Sequence, residues 1–198
     1  MTEPSRALRS FLFTPANRPG AFGKALESGA DCVCLDLEDA VPPDGKAAAR
    51  PDALAFLAES AAGPLRALRI NALSTAAGLR DLAALADTVP AEGLLLLPKV
   101  GSATELRLAE AVLEEAGCGL SLAALIETAT GLAEVEAIAA ATDRLRLLIF
   151  GGVDLSADLQ CARDSETMRV ARARIVQAAH AAGRDVLDVP ELQFRHLD

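Results

Sequence analysis

The chain has 198 residues, 52% of them apolar, and a formal net charge of −9 at neutral pH. This length fits one ordinary domain, so we treat residues 1–198 as a single domain. The negative charge repels phosphate backbones and argues against nucleic-acid binding, although a small anionic ligand needs only local positive groups.

Short apolar runs alternate with alanine-rich amphipathic stretches along the whole chain, which predicts strands alternating with helices. The predicted strands are residues 9–14, 32–37, 65–70, 93–97, 120–126, 145–150 and a weak last run at 186–189. The predicted helices are residues 19–28, 44–61, 76–87, 103–115, 131–141 and 166–182. This alternation, with nearly continuous apolar strands, predicts a parallel sheet covered by helices.

Two α/β folds are compatible with this order, a doubly wound open sheet and a TIM-type (β/α)8 barrel. Polar residues distinguish them, because charged groups follow five consecutive predicted strands, beginning with Asp36 and ending with Asp154. An open sheet would concentrate such groups at one switch point, whereas a barrel gathers all of them around one mouth. We therefore expect a barrel that is incomplete, with about seven strands present and the last one or two βα units missing.

Glu127 and Asp154 are each the first acid after an apolar run. A carboxylate that points into a barrel mouth is costly unless it is paired or binds a metal, and two such oxygens suit Mg²⁺. Each acid also precedes a predicted helix and could serve as its N-cap, but Thr128 and Ser156 could take that role. With His180 on a predicted helix and His196 near the end, a histidine-containing metal site is not expected.

Other charged groups at the strand ends have two readings each. The acidic residues Asp36, Glu38 and Asp39 could form a solvated loop, or could support a cation and an arginine. Arg69 and Asn71 lie two residues apart, so on a strand they would face the same side, and Arg69 could bind a substrate carboxylate or pair with Asp36 or Glu38. Lys99 could form a Schiff base, but many nearby carboxylates favour a protonated counter-ion.

The remaining signals are weaker. Gly151 and Gly152 precede Asp154 and would let a ligand approach the backbone, and neither a dinucleotide-binding nor an ATP-binding motif is present. The cysteines are expected to be reduced and buried: Cys32, Cys34, Cys118 and Cys161. With neither a signal peptide nor a membrane span expected, a cytoplasmic location follows by default.

Six short motifs in one order resemble the citrate lyase β subunit-like family of the HpcH/HpaI aldolase group. The match spans about residues 9–189, and the motifs are Arg9-Ser10-Phe11-Leu12-Phe13-Thr14-Pro15, Asp36-Leu37-Glu38-Asp39-Ala40-Val41, Arg69-Ile70-Asn71, Pro98-Lys99, Ile126-Glu127-Thr128-Ala129 and Phe150-Gly151-Gly152-Val153-Asp154-Leu155. The resemblance implies a magnesium-binding barrel, usually trimeric, that cleaves or forms a carbon–carbon bond in 3-hydroxyacyl-CoA thioesters.

By the same resemblance, Glu127 and Asp154 would be the metal ligands, and Arg69 would bind the carboxylate of the 2-keto acid. Glu38 and Asp39 would support the metal waters and Arg69, so we place Arg69, Glu38 and Asp39 in the catalytic set. The predicted substrate-binding residues are Arg69, Glu127, Arg9, Asn71, Lys99 and Gly152. A metal-bound water or a carboxylate could supply the base.

Three functions remain open at this point. The first is the magnesium-dependent acyl-CoA lyase, acting on a citryl-, malyl- or citramalyl-CoA type of thioester. The second is an aldolase on free hydroxy-keto acids, which the scarcity of histidine disfavours. The third is a non-catalytic subunit that binds magnesium or a keto acid, because relatives are expected to continue beyond Asp198 and to close the barrel.

Overall fold

The computed structural model describes residues 8–59 and 63–190. Its strands are β1 (Phe11–Pro15), β2 (Cys32–Asp36), β3 (Leu65–Arg69), β4 (Leu94–Leu97), β5 (Ser121–Ile126), β6 (Leu145–Phe150) and β7 (Asp185–Leu187). They form one parallel sheet in the order β1-β2-β3-β4-β5-β6-β7. Strictly sequential order excludes the doubly wound sheet, in which the order reverses at a switch point.

Helices separate the strands, as the amphipathic stretches predict. They are α1 (Phe22–Leu26), α2 (Lys46–Ala58), α3 (Ala76–Thr88), α4 (Ala103–Glu115), α5 (Ala129–Ala133), α6 (Val135–Ala139), α7 (Gly152–Asp158) and α8 (Glu166–Ala181), with a 3-10 turn at Pro19–Ala21 before α1. Side chains cap the start of several of them: Thr75 accepts a hydrogen bond from Gly78 N–H, Thr128 accepts one from Gly131 N–H, and Ser165 accepts one from Met168 N–H.

Alternate strand residues face two different cores. Outward-facing residues such as Val33, Leu95 and Leu148 pack against the helices in a large buried cluster. Inward-facing residues form a second cluster that contains Cys32, Cys34, Ala67, Leu94, Leu96, Ala123, Leu125, Leu147 and Ile149. Phe11 and Phe13 of β1 and Leu187 of β7 pack against this same inner cluster. The sheet therefore curls around a shared interior, which is the expected barrel, incomplete between β1 and β7.

Several local expectations are corrected. The predicted helix 131–141 is two short helices, and the weak last strand is Asp185–Leu187, not 186–189. The segment after Gly151 is a helix that the sequence pattern did not predict, so Ser156 lies inside α7 and donates to the Val153 carbonyl instead of capping a helix. Cys161 is half-buried, unlike the other three free thiols.

The remaining expectations concern membrane helices, positions outside the described residues, and the number of domains. Within the described residues, no helix combines the length and the apolar character that a membrane crossing requires. The end of the predicted helix 44–61 and the predicted position of His196 both lie outside the described residues. The single-domain assignment stays a prediction.

Candidate metal and keto-acid site

The carboxyl ends of β2 to β6 bring the predicted charged residues to one end of the barrel. Asp36 and Arg69 are the last residues of β2 and β3 and lie opposite each other in the parallel register. Lys99 follows β4 by two residues, and Glu127 directly follows β5. Asp154 lies in the first turn of α7, four residues after β6 ends.

Arg69 is held on three sides. Its Nε and Nη2 atoms donate to the two carboxylate oxygens of Asp36 at 2.7 and 2.5 Å. Nη1 lies 3.0 Å from Oε2 of Glu38, an ion pair outside hydrogen-bond geometry. The guanidinium carbon lies 5.3 Å from the centre of the Phe13 ring, within cation–π range. Arg69 is thus fixed in place by its contacts with Asp36, Glu38 and Phe13.

Glu38 and Lys99 form the second ion pair of the site. Nζ of Lys99 donates to Oε1 of Glu38 and lies 3.8 Å from Asp39 and 3.6 Å from Asp154. Burial works to lower the pKa of Lys99, but the hydrogen bond and charge of Glu38 outweigh it, and the pKa rises above its usual value. Lys99 therefore stays protonated, as the counter-ion reading requires.

Glu127 is a buried acid, with only 3% of the residue exposed. Its Oε1 accepts a hydrogen bond of 2.9 Å from the backbone N–H of Lys99, whose backbone has the left-handed φ of 51°. Burial first, and then the charge of Glu38, raise the pKa of Glu127 to about 8, while the Lys99 N–H opposes the rise. The positive groups nearby therefore do not offset the cost of burying this carboxylate next to other acids.

Gly151 makes room for Glu127. A Cβ atom at this position would lie 2.4 Å from Cβ and 2.8 Å from Oε2 of Glu127, much closer than packed atoms allow. The Gly151 N–H donates to the carbonyl of Ile126, so this close approach continues the pairing of β5 with β6. The absence of a side chain at Gly151 therefore allows the backbone that leads to Asp154 to pass close to the Glu127 side chain.

The charges around the site favour a divalent cation. Five acids, Asp36, Glu38, Asp39, Glu127 and Asp154, surround two bases, Arg69 and Lys99, so the formal charge is 2 − 5 = −3 when all are ionised. Among the described residues, no group of three or more His, Cys, Asp or Glu side chains is placed to hold a metal. Two carboxylates with room for other oxygens fit Mg²⁺, which keeps several waters.

A cavity of about 630 Å³ opens beside these groups. Asp39, Arg69, Glu127 and Asp154 line it together with Gly151 and Gly152. Apolar side chains, including Phe13, Leu125, Ile149 and Leu187, form much of the remaining wall. An anionic ligand that reaches Arg69 would therefore lie next to both predicted metal ligands, in a partly apolar space.

Three of the predicted substrate-binding residues make their main contacts with other parts of the protein. Arg9 lies two residues before β1, near the amino end of that strand, and donates to Asp31, although it also lines the cavity. Asn71 is buried and bonds to Lys46 and Asp81. A Cβ at Gly152 would meet Val189 at 2.5 Å, so this glycine serves packing against the segment after β7 as well as lining the cavity.

Two residues organise the site: Asp36, which the sequence indicated as a possible partner of Arg69, and Lys46, which it did not indicate. Asp36 carries the two-point pair with Arg69, and its carboxylate also accepts from the N–H groups of Glu38 and Ala40. Lys46 was not predicted to belong to the site, because in the sequence it looks like an ordinary first residue of a helix. Its spacing of four from Arg50 on α2 is the signal that places both on one helix face.

Residues 9–195 match the family model described as HpcH/HpaI aldolase/citrate lyase. The L-malyl-CoA/beta-methylmalyl-CoA lyase of Rhodobacter capsulatus is 37% identical over 164 residues, which are 79% of this chain and 52% of that protein. The chain thus spans about half the length of this curated relative.

Two solved structures have the same fold. RipC from Yersinia pestis is 39% identical with a TM-score of 0.78, covering 93% of this chain and 76% of that one. Protein CitE from Mycobacterium tuberculosis, in complex with magnesium, acetoacetate and coenzyme A, is 34% identical with a TM-score of 0.77, covering 96% and 69%.

Proposed function

The chain belongs to the HpcH/HpaI aldolase/citrate lyase family, and on that premise we propose that it is a magnesium-dependent lyase of 3-hydroxyacyl-CoA thioesters. The reaction breaks or forms the bond between the hydroxyl-bearing carbon and the carbon next to the thioester carbonyl. In cleavage, the hydroxyl loses its proton and becomes the ketone of a 2-keto acid. The electron pair of the broken bond passes to the thioester side, which takes up a proton to give an acyl-CoA.

One observation carries this proposal: the carboxyl groups of Glu127 and Asp154 line the same cavity as a fixed arginine, in a site where acids outnumber bases. Glu127 and Asp154 would hold magnesium. When bound, the metal would polarise the keto oxygen and offset negative charge that develops on it. The site's formal charge otherwise opposes a keto-acid anion, so ligand binding is expected to depend on the cation.

Arg69 would bind and orient the carboxylate of the keto acid. Asp36 occupies its Nε–Nη2 edge and Glu38 lies next to Nη1, but Arg69 still lines the cavity, where a ligand could contact its guanidinium. Because the pair with Asp36 and the contact with Phe13 hold the guanidinium, little conformational entropy is lost when a ligand binds. Arg69 would also stabilise charge in the transition state.

Lys99 and Glu38 would set the charge around the two metal ligands. The Lys99 ammonium lies between Glu38 and Asp154. The backbone N–H of Lys99 donates to one carboxyl oxygen of Glu127. This leaves the other oxygen of Glu127 for the metal. The apolar wall formed by Leu125 and Ile149 would exclude water from the reacting carbons.

Calorimetric titration tests the proposal. Oxaloacetate, glyoxylate and pyruvate are titrated with and without magnesium, followed by assays with malyl-CoA and citramalyl-CoA. Magnesium-dependent binding together with thioester cleavage supports the lyase. Magnesium-dependent binding without cleavage supports the non-catalytic keto-acid-binding protein instead. Keto-acid binding with the same affinity in the presence and absence of magnesium contradicts both functions.

The coenzyme A thioester partner belongs to this proposal. The trimer that the resemblance implies and the cytoplasmic location expected from the sequence stay predictions. Light scattering of the purified protein would measure the assembly.

A further inference from the structure

The ammonium group of Lys46 is fully occupied by the two loops behind the site. Nζ donates to the backbone carbonyl oxygens of Leu37 at 2.9 Å and Glu38 at 2.6 Å, and to Oδ1 of Asn71 at 2.5 Å. A lysine ammonium has three N–H donors, and each of these contacts uses one. Lys46 is therefore committed to the main chain beside the site rather than to solvent.

A buried network holds Asn71, one of the three acceptors of the Lys46 ammonium. Nδ2 of Asn71 donates to Oδ2 of Asp81 at 2.6 Å, and Nε of Arg50 donates to Oδ1 of Asp81 at 2.6 Å. Asn71 and Asp81 are 4% and 1% exposed, so these bonds lie away from water and are costly to break. Both cations of the network, Lys46 and Arg50, lie on α2, one helical turn apart.

The acidic segment, residues 36–39, is thus held from two sides. On the strand side, the carboxylate of Asp36 accepts from the N–H of Glu38 at 2.8 Å and from the N–H of Ala40 at 3.1 Å. On the helix side, Lys46 binds the carbonyls of Leu37 and Glu38. With both its N–H and its C=O engaged, the backbone of Glu38 is fixed in the orientation that sends its side chain toward Arg69 and Lys99.

We propose that Lys46 is a positioning residue, which fixes the acidic segment so that Glu38 pairs with Lys99 and Arg69 in the keto-acid site. This inference rests on the proposed function for its link to ligand binding. Lys46 does not line the cavity among the described residues, so it acts only through the segment it holds. Asn71, predicted to bind substrate, then belongs to the support of Lys46.

Two matched variants test the proposal, Lys46→Met and Arg50→Met. Each removes one cation of the same network, one turn apart on α2, but only Lys46 touches the acidic segment. We expect both variants to lower the free energy of unfolding in urea. Only Lys46→Met should speed hydrogen exchange at the amides of Glu38 and Ala40, by about tenfold or more, because local opening of the segment becomes easier.

Ligand affinity provides the second measurement. With magnesium present, Lys46→Met should weaken oxaloacetate binding by about tenfold, while Arg50→Met should stay within about twofold of the unmodified chain. Equal effects of the two variants on exchange and affinity would overturn the proposal, because they would show a general loss of stability. Should Lys46→Met fail to fold, Lys46→Gln, which keeps two N–H donors, is expected to show the same changes at smaller size, and a folded but unaffected Lys46→Gln overturns it.

The two inferences fail in different ways. If the unmodified chain binds no keto acid with magnesium, the proposed function fails, and the exchange contrast alone decides the role of Lys46. If the exchange contrast is missing, the role of Lys46 fails whatever the titrations give.

Discussion

Asp36 and Arg69 end two neighbouring strands at matched positions and form a two-point ion pair with N–O distances of 2.7 and 2.5 Å. Both side chains are largely buried, at 4% and 13% exposed. The pair therefore ties strand register directly to the orientation of the arginine that faces the cavity. The Arg69 side chain is therefore preorganised for ligand binding.

Asp36→Ala should lower the free energy of unfolding by about 3 kcal/mol, because it leaves the Arg69 charge without its main partner in a poorly hydrated place. Urea unfolding followed by circular dichroism measures the loss. Asp39→Asn is the control, since Asp39 is 58% exposed and lies 3.9 Å from Arg69. It should change stability by less than about 0.5 kcal/mol. Similar losses in both variants would contradict the account.

Gly151→Ala should weaken magnesium binding by about tenfold or more, because the added methyl group occupies the space of the Glu127 side chain. Calorimetry with magnesium alone checks this. Gly20→Ala serves as the control, since a Cβ at Gly20 meets nothing within 4 Å. Unchanged magnesium affinity in Gly151→Ala would mean that the position of Glu127 does not matter for the metal.

Lys99→Met should tighten magnesium binding by about threefold to tenfold. The ammonium lies 3.6 Å from Asp154, so its removal eliminates a competing positive charge and leaves Glu38 with Arg69 but without Lys99 as a partner. The same titration measures the effect, in low salt to limit screening. Weaker magnesium binding in Lys99→Met would show instead that Lys99 mainly holds Glu127 in place through the segment around it.

Magnesium affinity should rise with pH up to about 8 and then level off. In the metal-free protein, burial and the charge of Glu38 raise the pKa of Glu127 to about 8, so at lower pH the cation must displace a proton. The expected slope is about tenfold per pH unit below that pKa. Titrations in buffers of different ionisation enthalpy would detect the released proton. In Glu127→Gln this component of the pH dependence should disappear.

Much of the fold was readable from the sequence. The strand and helix pattern of βα units predicted seven parallel strands, and the polar residues at strand ends predicted their meeting at one mouth. The strand Leu65–Arg69 and the helix Ala103–Glu115 lie close to the predicted ranges, since apolar runs and capping signals mark them. The helix Gly152–Asp158 was missed, because two glycines at its start are typical of loops.

The site was only partly readable. Periodicity along a strand predicts that Arg69 and Asn71 face the same side, but β3 ends at Arg69, and Asn71 turns toward Asp81. Arg9 belongs to a family-like motif, yet its position before the amino end of β1 follows only from the direction of the strands. The supporting contacts of Lys46 depend on two loops that are distant in sequence, which no local pattern reveals.

The central claim is that Glu127 and Asp154 bind one magnesium ion next to Arg69. Magnesium titrated into the unmodified chain, Asp154→Asn and Asp158→Asn tests it most directly, because Asp158 lies on the same helix and bonds to the N–H of Ala129 instead. We predict that Asp154→Asn loses about tenfold to a hundredfold in magnesium affinity while its urea unfolding is unchanged, and that Asp158→Asn keeps normal affinity. Normal magnesium affinity in a folded Asp154→Asn would contradict the account.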